Sequence, residues 1–264
     1  MSPYFIIPHQ TNIGDPSIAE KVKNLYLIFD LTLKIILYYN FPIIRCQKTD
    51  SFSSILQQLF NSADVAVVGR FAGDTALAAV GSCVALVGIF VNLIVGLSVG
   101  PNAALATLIG QKKREQINSM LHTILTFGAI LGVLLMCLGM LSARIILELS
   151  GTPESVMGQA LLYIRIYFIS IPFMVIYNFG SAVLRSFGDS RRPMYYLILS
   201  GTVNVILNLF LVICFHLGVS GVAIATVISN VLSSALVIIY LYKRPDKFRF
   251  QIRNMNHVEM QLSL

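Results

Sequence analysis

The chain has 264 residues, of which 56% are apolar and only 12% charged, with a mean hydropathy of +0.77. Soluble domains carry about 25% charge, and none buries several uncharged runs each longer than the ~18 residues that mark a membrane span, so a soluble fold is excluded. The net charge of +7 does not indicate nucleic acid, because the basic residues cluster in short connections and at the two ends, where membrane proteins hold them on the cytoplasmic side.

Residues 1–50 form a divergent N-terminal segment. Met1 to Glu20 lacks a basic start followed by an apolar core, so no cleavable signal is expected. Asn24 to Ile44 is apolar and aromatic, but Asp30 and Lys34 interrupt it, and it reads as interfacial or irregular rather than as a seventh span. Pro42 and the polar run Arg45 to Asp50 separate it from the first helix.

Helix 1 is expected at Ser51–Val68. Within it Gln57, Asn61 and Asp64 fall at i, i+4 and i+7, on one helix face. A carboxylate at membrane depth costs at least ~2.5 kcal/mol and commonly marks an ion or substrate pathway. An acid with two neutral oxygen donors beneath it fits a proton, a sodium ion or a cationic substrate. Equally, Asp64 lies six residues before Arg70 and fits a side chain reaching interfacial water.

Helix 2 lies within Thr75–Gly110, uncharged throughout, with Gly100-Pro101 expected to bend it. Helix 3 covers Ile117–Ala143. Gly96-x-x-x-Gly100 in helix 2 and Gly128-x-x-x-Gly132 in helix 3 read as packing signals that let backbones approach. Helix 4, Ser155–Leu184, carries Asn178 and Ser181 with Arg185 just beyond, at i, i+3 and i+7, and Arg165 toward its opposite end.

Met194 to Tyr242 is too long for one span of ~20 residues, and Gly218-Val-Ser-Gly221 divides it into helices 5 and 6. Helix 5 places Asn204 and Asn208 one turn apart among Val, Ile, Leu and Phe. Buried amides need partners and so turn inward; interhelical hydrogen bonding explains them as readily as a site does. His216 reads as interfacial or packed. Cys46, Cys83, Cys137 and Cys214 show no metal-ligand spacing and read as packing residues. Residues 244–264 form a basic tail.

Loop charges fix an orientation. The first loop is neutral, the second carries Lys112, Lys113, Arg114 and Glu115, and the third carries Arg144, Glu148 and Glu154. The fourth carries Arg185, Asp189, Arg191 and Arg192, and the fifth has no charge. Basic loops alternate with neutral or acidic ones, which predicts six spans with both ends in the cytoplasm. The chain carries no nucleophile, zinc or phosphate-loop motif. It is therefore not expected to be an enzyme, to hold a cofactor, or to hydrolyse ATP by itself.

Specific strings carry a resemblance. Gln57-Gln-Leu-Phe-Asn-Ser-Ala-Asp64 with Val68-Gly-Arg70 resembles the first helix of the multidrug and toxic compound extrusion (MATE) family. Ala76-Leu-Ala-Ala-Val-Gly81 resembles the start of its second, and Leu184-Arg-Ser-Phe-Gly-Asp-Ser-Arg-Arg-Pro193 its loop between helices 4 and 5. Asn204-Val-Ile-Leu-Asn208 and Gly218-Val-Ser-Gly-Val-Ala-Ile-Ala-Thr226 resemble helix 5 and the entry to helix 6. The order and spacing agree from about Ser53 to Lys243.

The resemblance implies an all-α polytopic membrane protein in which residues 51–243 are one six-helix lobe of a twelve-helix transporter of the plasma (inner) membrane. It implies export of organic cations or drugs in exchange for sodium or protons. Asp64 is then the coupling acid, with Asn178, Asn204 and Asn208 as ion-coupling positions and Gln57 and Asn61 on the substrate pathway. Some members have an acid at the second helix-5 position, where this chain has Asn208.

Two departures stand out. Arg45 to Asp50 replaces the apolar residues the family has upstream of Gln57, which fits a disrupted reading frame. Six helices also make only one lobe, so a second six-helix lobe or chain is expected as partner. The alternatives are a lipid-linked sugar flippase of the same superfamily, whose cavity would be basic, and a truncated fragment without transport.

Overall fold

The computed structural model describes residues 49–243. The expectations for most of residues 1–50, for Cys46 and for the tail at 244–264 lie outside the described residues. Six helices account for nearly all of the rest: α1 Thr49–Phe71, α2 Asp74–Gly110, α3 Arg114–Leu149, α4 Glu154–Ser186, α5 Arg191–Leu209 and α6 Gly218–Lys243. A π-helical turn, Phe210–Cys214, ends α5.

Five of these helices are long and apolar enough to cross a membrane, and α1 is not among them. The reason is legible in its residues, since Gln57, Gln58, Asn61, Ser62 and Asp64 all fall within three turns. The chain is a multi-pass membrane protein.

The helix ends follow from local chemistry. After α3, the amide of Gly151 donates to the Glu148 carbonyl and that of Thr152 to Leu147, with Gly151 at φ +73°. After α4, Gly188 at φ +82° and Asp189 repeat this pattern onto Arg185 and Leu184. Both links close as Schellman caps, which glycine permits at little steric cost. Pro153 precedes α4 and Pro193 sits in the first turn of α5, where a missing N–H is tolerated.

The expected glycine boundary between the last two helices shifts slightly. The chain turns at Phe215–Leu217, so Gly218 to Gly221 opens α6 instead of forming the loop. Gly221 serves packing there, because a Cβ on it would lie 3.1 Å from the side chains of Leu211 and Leu217. His216 is exposed in the turn, at φ +53°. At the other end of the bundle α2 continues through Pro101 without interruption.

α4 is the central post. It buries 19 of its 33 residues and packs against α3, α6 and α2. α5 packs on α6 and α1. The α3 glycines behave as expected, since a Cβ on Gly132 would stand 2.7 Å from the Pro172 Cα and one on Gly128 3.1 Å from the Phe179 ring. The α2 pair does not, because nothing lies within 4 Å of a Cβ on Gly96 or Gly100. That face meets no neighbour among the described residues. The cysteines divide likewise: Cys83 is buried with its thiol 3.6 Å from the Ala160 carbonyl, whereas Cys137 and Cys214 are exposed and do not pack.

Two ties at one end of the bundle fix the relative direction of the helices. Ser186, at the end of α4, donates to Asn102 of α2. Arg192, at the start of α5, pairs with Asp189 at 2.6 Å, bonds the Tyr240 hydroxyl near the end of α6, and stacks over its ring at 4.3 Å.

Candidate functional site

α1 supplies the acid. The i, i+4, i+7 spacing turns Gln57, Asn61 and Asp64 inward, and all three line one open recess. Asp64 itself is 3% exposed. Its carboxylate is held from two other helices: Asn208 Nδ2 donates to Oδ1 at 2.5 Å, and Thr226 Oγ1 lies 3.1 Å from Oδ2. The Thr226 hydroxyl is also 3.0 Å from the Val222 carbonyl of its own helix, so its single proton serves one acceptor at a time.

The amides close a ring around the acid. Asn208 Nδ2 is also 3.2 Å from Asn204 Oδ1, and Asn204 Nδ2 is 3.4 Å from Thr226 Oγ1. Asn208 is fully buried, and its carbonyl oxygen Oδ1 has no hydrogen-bond partner among the described residues. An ionised carboxylate accepts only, whereas an amide oxygen can ligate a cation or accept from an acid. Two carboxylate oxygens, a buried amide oxygen and a hydroxyl are therefore gathered from three helices.

Asn178 stands apart. It is buried, but its Nδ2 donates at 2.8 Å to the Met174 carbonyl of its own helix, and it does not line the recess. α4 instead contributes Tyr167, Met174 and Tyr177, with the Tyr177 hydroxyl donating at 2.9 Å to the Pro193 carbonyl. Sequence reasoning missed these tyrosines and Thr226. A usable signal existed for α6, because Thr226, Asn230 and Ser233 repeat the i, i+4, i+7 spacing that singled out α1. Phe60 seats its ring directly on Gly201, so α1 and α5 approach closely beside the site. A second recess between α1 and α2 is lined by Gln58, Asn61, Ser62 and Gly88, with Tyr163 behind. Asn61 borders both.

The described helices thus form a polytopic bundle in which an acid is buried among amides. Known proteins show which family has this bundle. The MatE family model matches residues 51–210. The chain is 33% identical over 216 residues to "Probable multidrug resistance protein YoeA" of Bacillus subtilis, covering 80% of this chain and 47% of that one. To "Probable multidrug resistance protein NorM" of Thermotoga maritima it is 26% identical, covering 76% and 43%. A crystal structure described as MATE in the bent conformation superposes with a TM-score of 0.73 at 26% identity, covering 78% of this chain and 46% of that one. The chain belongs to the MatE family. It spans about half the length of the curated relatives it matches.

Proposed function

We propose that this chain is the N-terminal lobe of a cation-coupled antiporter that exports organic cations or drugs against sodium or protons, and that it works with a second six-helix lobe. The observation that carries the reading is Asp64, buried and held by Asn208 and Thr226 from two other helices. Loading and release of an ion there would bias the lobe between two arrangements, as antiport requires. Gln57 and Asn61, beneath the acid in the same recess, lie on the substrate side. Among the described residues lining it, Asp64 is the only charged one. That supports cationic cargo over the anionic lipid precursors of a flippase, which would call for arginine or lysine.

The experiment is efflux in a host stripped of its own exporters. The chain alone is expected to give little dye efflux, because one lobe supplies one wall of an alternating-access cavity, and a complementing second lobe is expected to restore it. Robust efflux by the chain shown to be unpartnered would overturn the half-transporter reading.

We place both ends in the cytoplasm at the inner membrane. In a background without native thiols, a cysteine at Lys113 is expected to resist labelling from outside the cell and one at Ser220 to accept it. The reverse pattern would invert the topology.

A further inference from the structure

α4 packs on α3 along one flank and on α6 along another, and no comparable packing joins α3 to α6 among the described residues. In the half of α4 nearer the basic loops this seam is shut. A Cβ on Gly128 of α3 would press on Phe179, and one on Gly180 would run into Val237 of α6. In the other half the seam opens, because Thr226 commits that stretch of α6 to Asn204 and Asp64. Gly158, Leu162, Arg165 and Ile169 of α4 are exposed there, at spacings of four, three and four that keep them on one face. At 3.6 residues per turn this face falls in the sector between Pro172, which meets Gly132 of α3, and Gly180.

Arg165 is the charged member of the face. Leu162 is 49% exposed and Ile169 43%, and nothing lies within 4 Å of a Cβ on Gly158, so the guanidinium stands in an open apolar trough. Among the described residues it makes no hydrogen bond or ion pair. The acids of that end are turned elsewhere: Glu148 pairs with Arg144, and Glu154 lies within the field of Arg144.

Depth then selects the ligand. α4 has 33 residues, about 50 Å at 1.5 Å per residue, against a hydrocarbon layer of about 30 Å. A centred helix projects about 10 Å at each end. Arg165 follows Glu154 by eleven residues, which sets its Cα about 6 Å inside the apolar layer. Helical side chains lean toward the N-terminus, so the guanidinium reaches back to the level of the headgroup phosphates while its stem stays among apolar neighbours. Its paired N–H donors match the oxygens of a phosphate.

We propose that the trough binds an anionic phospholipid, with Arg165 on the headgroup phosphate and the acyl chains over Leu162 and Ile169. An anionic headgroup is favoured over a zwitterionic one because it brings no ammonium of its own to compete for the phosphate. The leaflet is the one opposite the basic loops, which is the outer leaflet under the topology proposed above. The site itself depends neither on that topology nor on Asp64.

The chain contains no tryptophan, so Leu162→Trp supplies a single fluorescent reporter one turn from Arg165. The full chain carrying it is reconstituted in phosphatidylcholine vesicles with increasing brominated phosphatidylglycerol, and quenching gives the relative affinity of that spot for the two lipids. Phosphatidylglycerol is expected to win by about fivefold, the equivalent of the ~1 kcal/mol that one basic side chain contributes beside anionic lipid. Adding Arg165→Gln should bring the ratio to about one. Arg165→Lys should retain a preference, weakened by loss of the bidentate contact. A reporter at Ile206→Trp, exposed on α5, should show no preference in any background. Ile169→Trp, a turn to the other side of Arg165, serves in place of Leu162→Trp should that variant not fold. Equal affinities beside Arg165, or a preference that Arg165→Gln leaves unmoved, would overturn the proposal. So would the absence of quenching by brominated lipid of either class, which would mean that protein covers the trough. A preference abolished by glycerol 3-phosphate would make the ligand a free phosphate and not a lipid.

Discussion

Asp64→Asn is expected to abolish ion-driven efflux in vesicles that hold this chain together with a complementing second lobe. The substitution keeps the shape of the side chain and removes its charge, so no proton or sodium ion is exchanged at the site. It also replaces one of two acceptor oxygens by a donor, facing either Asn208 Nδ2 or the Thr226 hydroxyl. Thr226 can redirect its proton to the Val222 carbonyl, which keeps the cost of the mismatch near the lower end of the ~1–3 kcal/mol of an unsatisfied buried group. Insertion and folding should therefore survive while the rate falls at least tenfold. Asn208→Ala should weaken transport less, because it removes a neutral partner and leaves the charge. Wild-type rates in Asp64→Asn under the same ion gradient would place the coupling site in another lobe.

Gly132→Ala is expected to lower the stability of the purified chain by about 1–3 kcal/mol, the usual cost of overpacking. The added methyl meets the Pro172 backbone at 2.7 Å, and a backbone atom in a helix cannot turn aside as a side chain can. Gly96→Ala is the matched control. Its methyl meets nothing within 4 Å, and alanine favours helix over glycine by roughly 1 kcal/mol, so that variant should melt at or slightly above wild type. Thermal unfolding in one detergent measures both. Equal midpoints for Gly132→Ala and wild type would mean that α3 and α4 are not locked at this contact.

The helices were legible because their signals are local. Uncharged runs and turn chemistry act within a few residues, and they placed the helix ends to within six residues, except that α2 was placed only within its run and the end of α5 was set at Gly218, eight residues or more beyond Leu209. The face shared by Gln57, Asn61 and Asp64 was legible for the same reason. What the residues by themselves did not reveal is that Asn208 and Thr226 close on Asp64, across separations of 144 and 162 residues. Helix periodicity reports which side of a helix is polar and is silent about which helix it faces. Family resemblance brought Asn204 and Asn208 to the acid's neighbourhood, and it brought Asn178 as well, whose amide is spent on its own helix. The α2 glycines mislead in an instructive way. Small residues permit close approach without saying what approaches, and nothing in the described residues does.

The three-helix origin of the acid's partners has a thermodynamic corollary. Residues so far apart in sequence converge only when α1, α5 and α6 are packed, so an unfolded chain holds no comparable site. An ion that binds there binds the native state alone, and by mass action its binding free energy adds to that of folding, about 1.4 kcal/mol for each tenfold rise in ion concentration beyond the dissociation constant. If Asp64 takes the ion proposed for it, the unfolding midpoint is expected to rise with ion concentration, and that of Asp64→Asn to be indifferent to it.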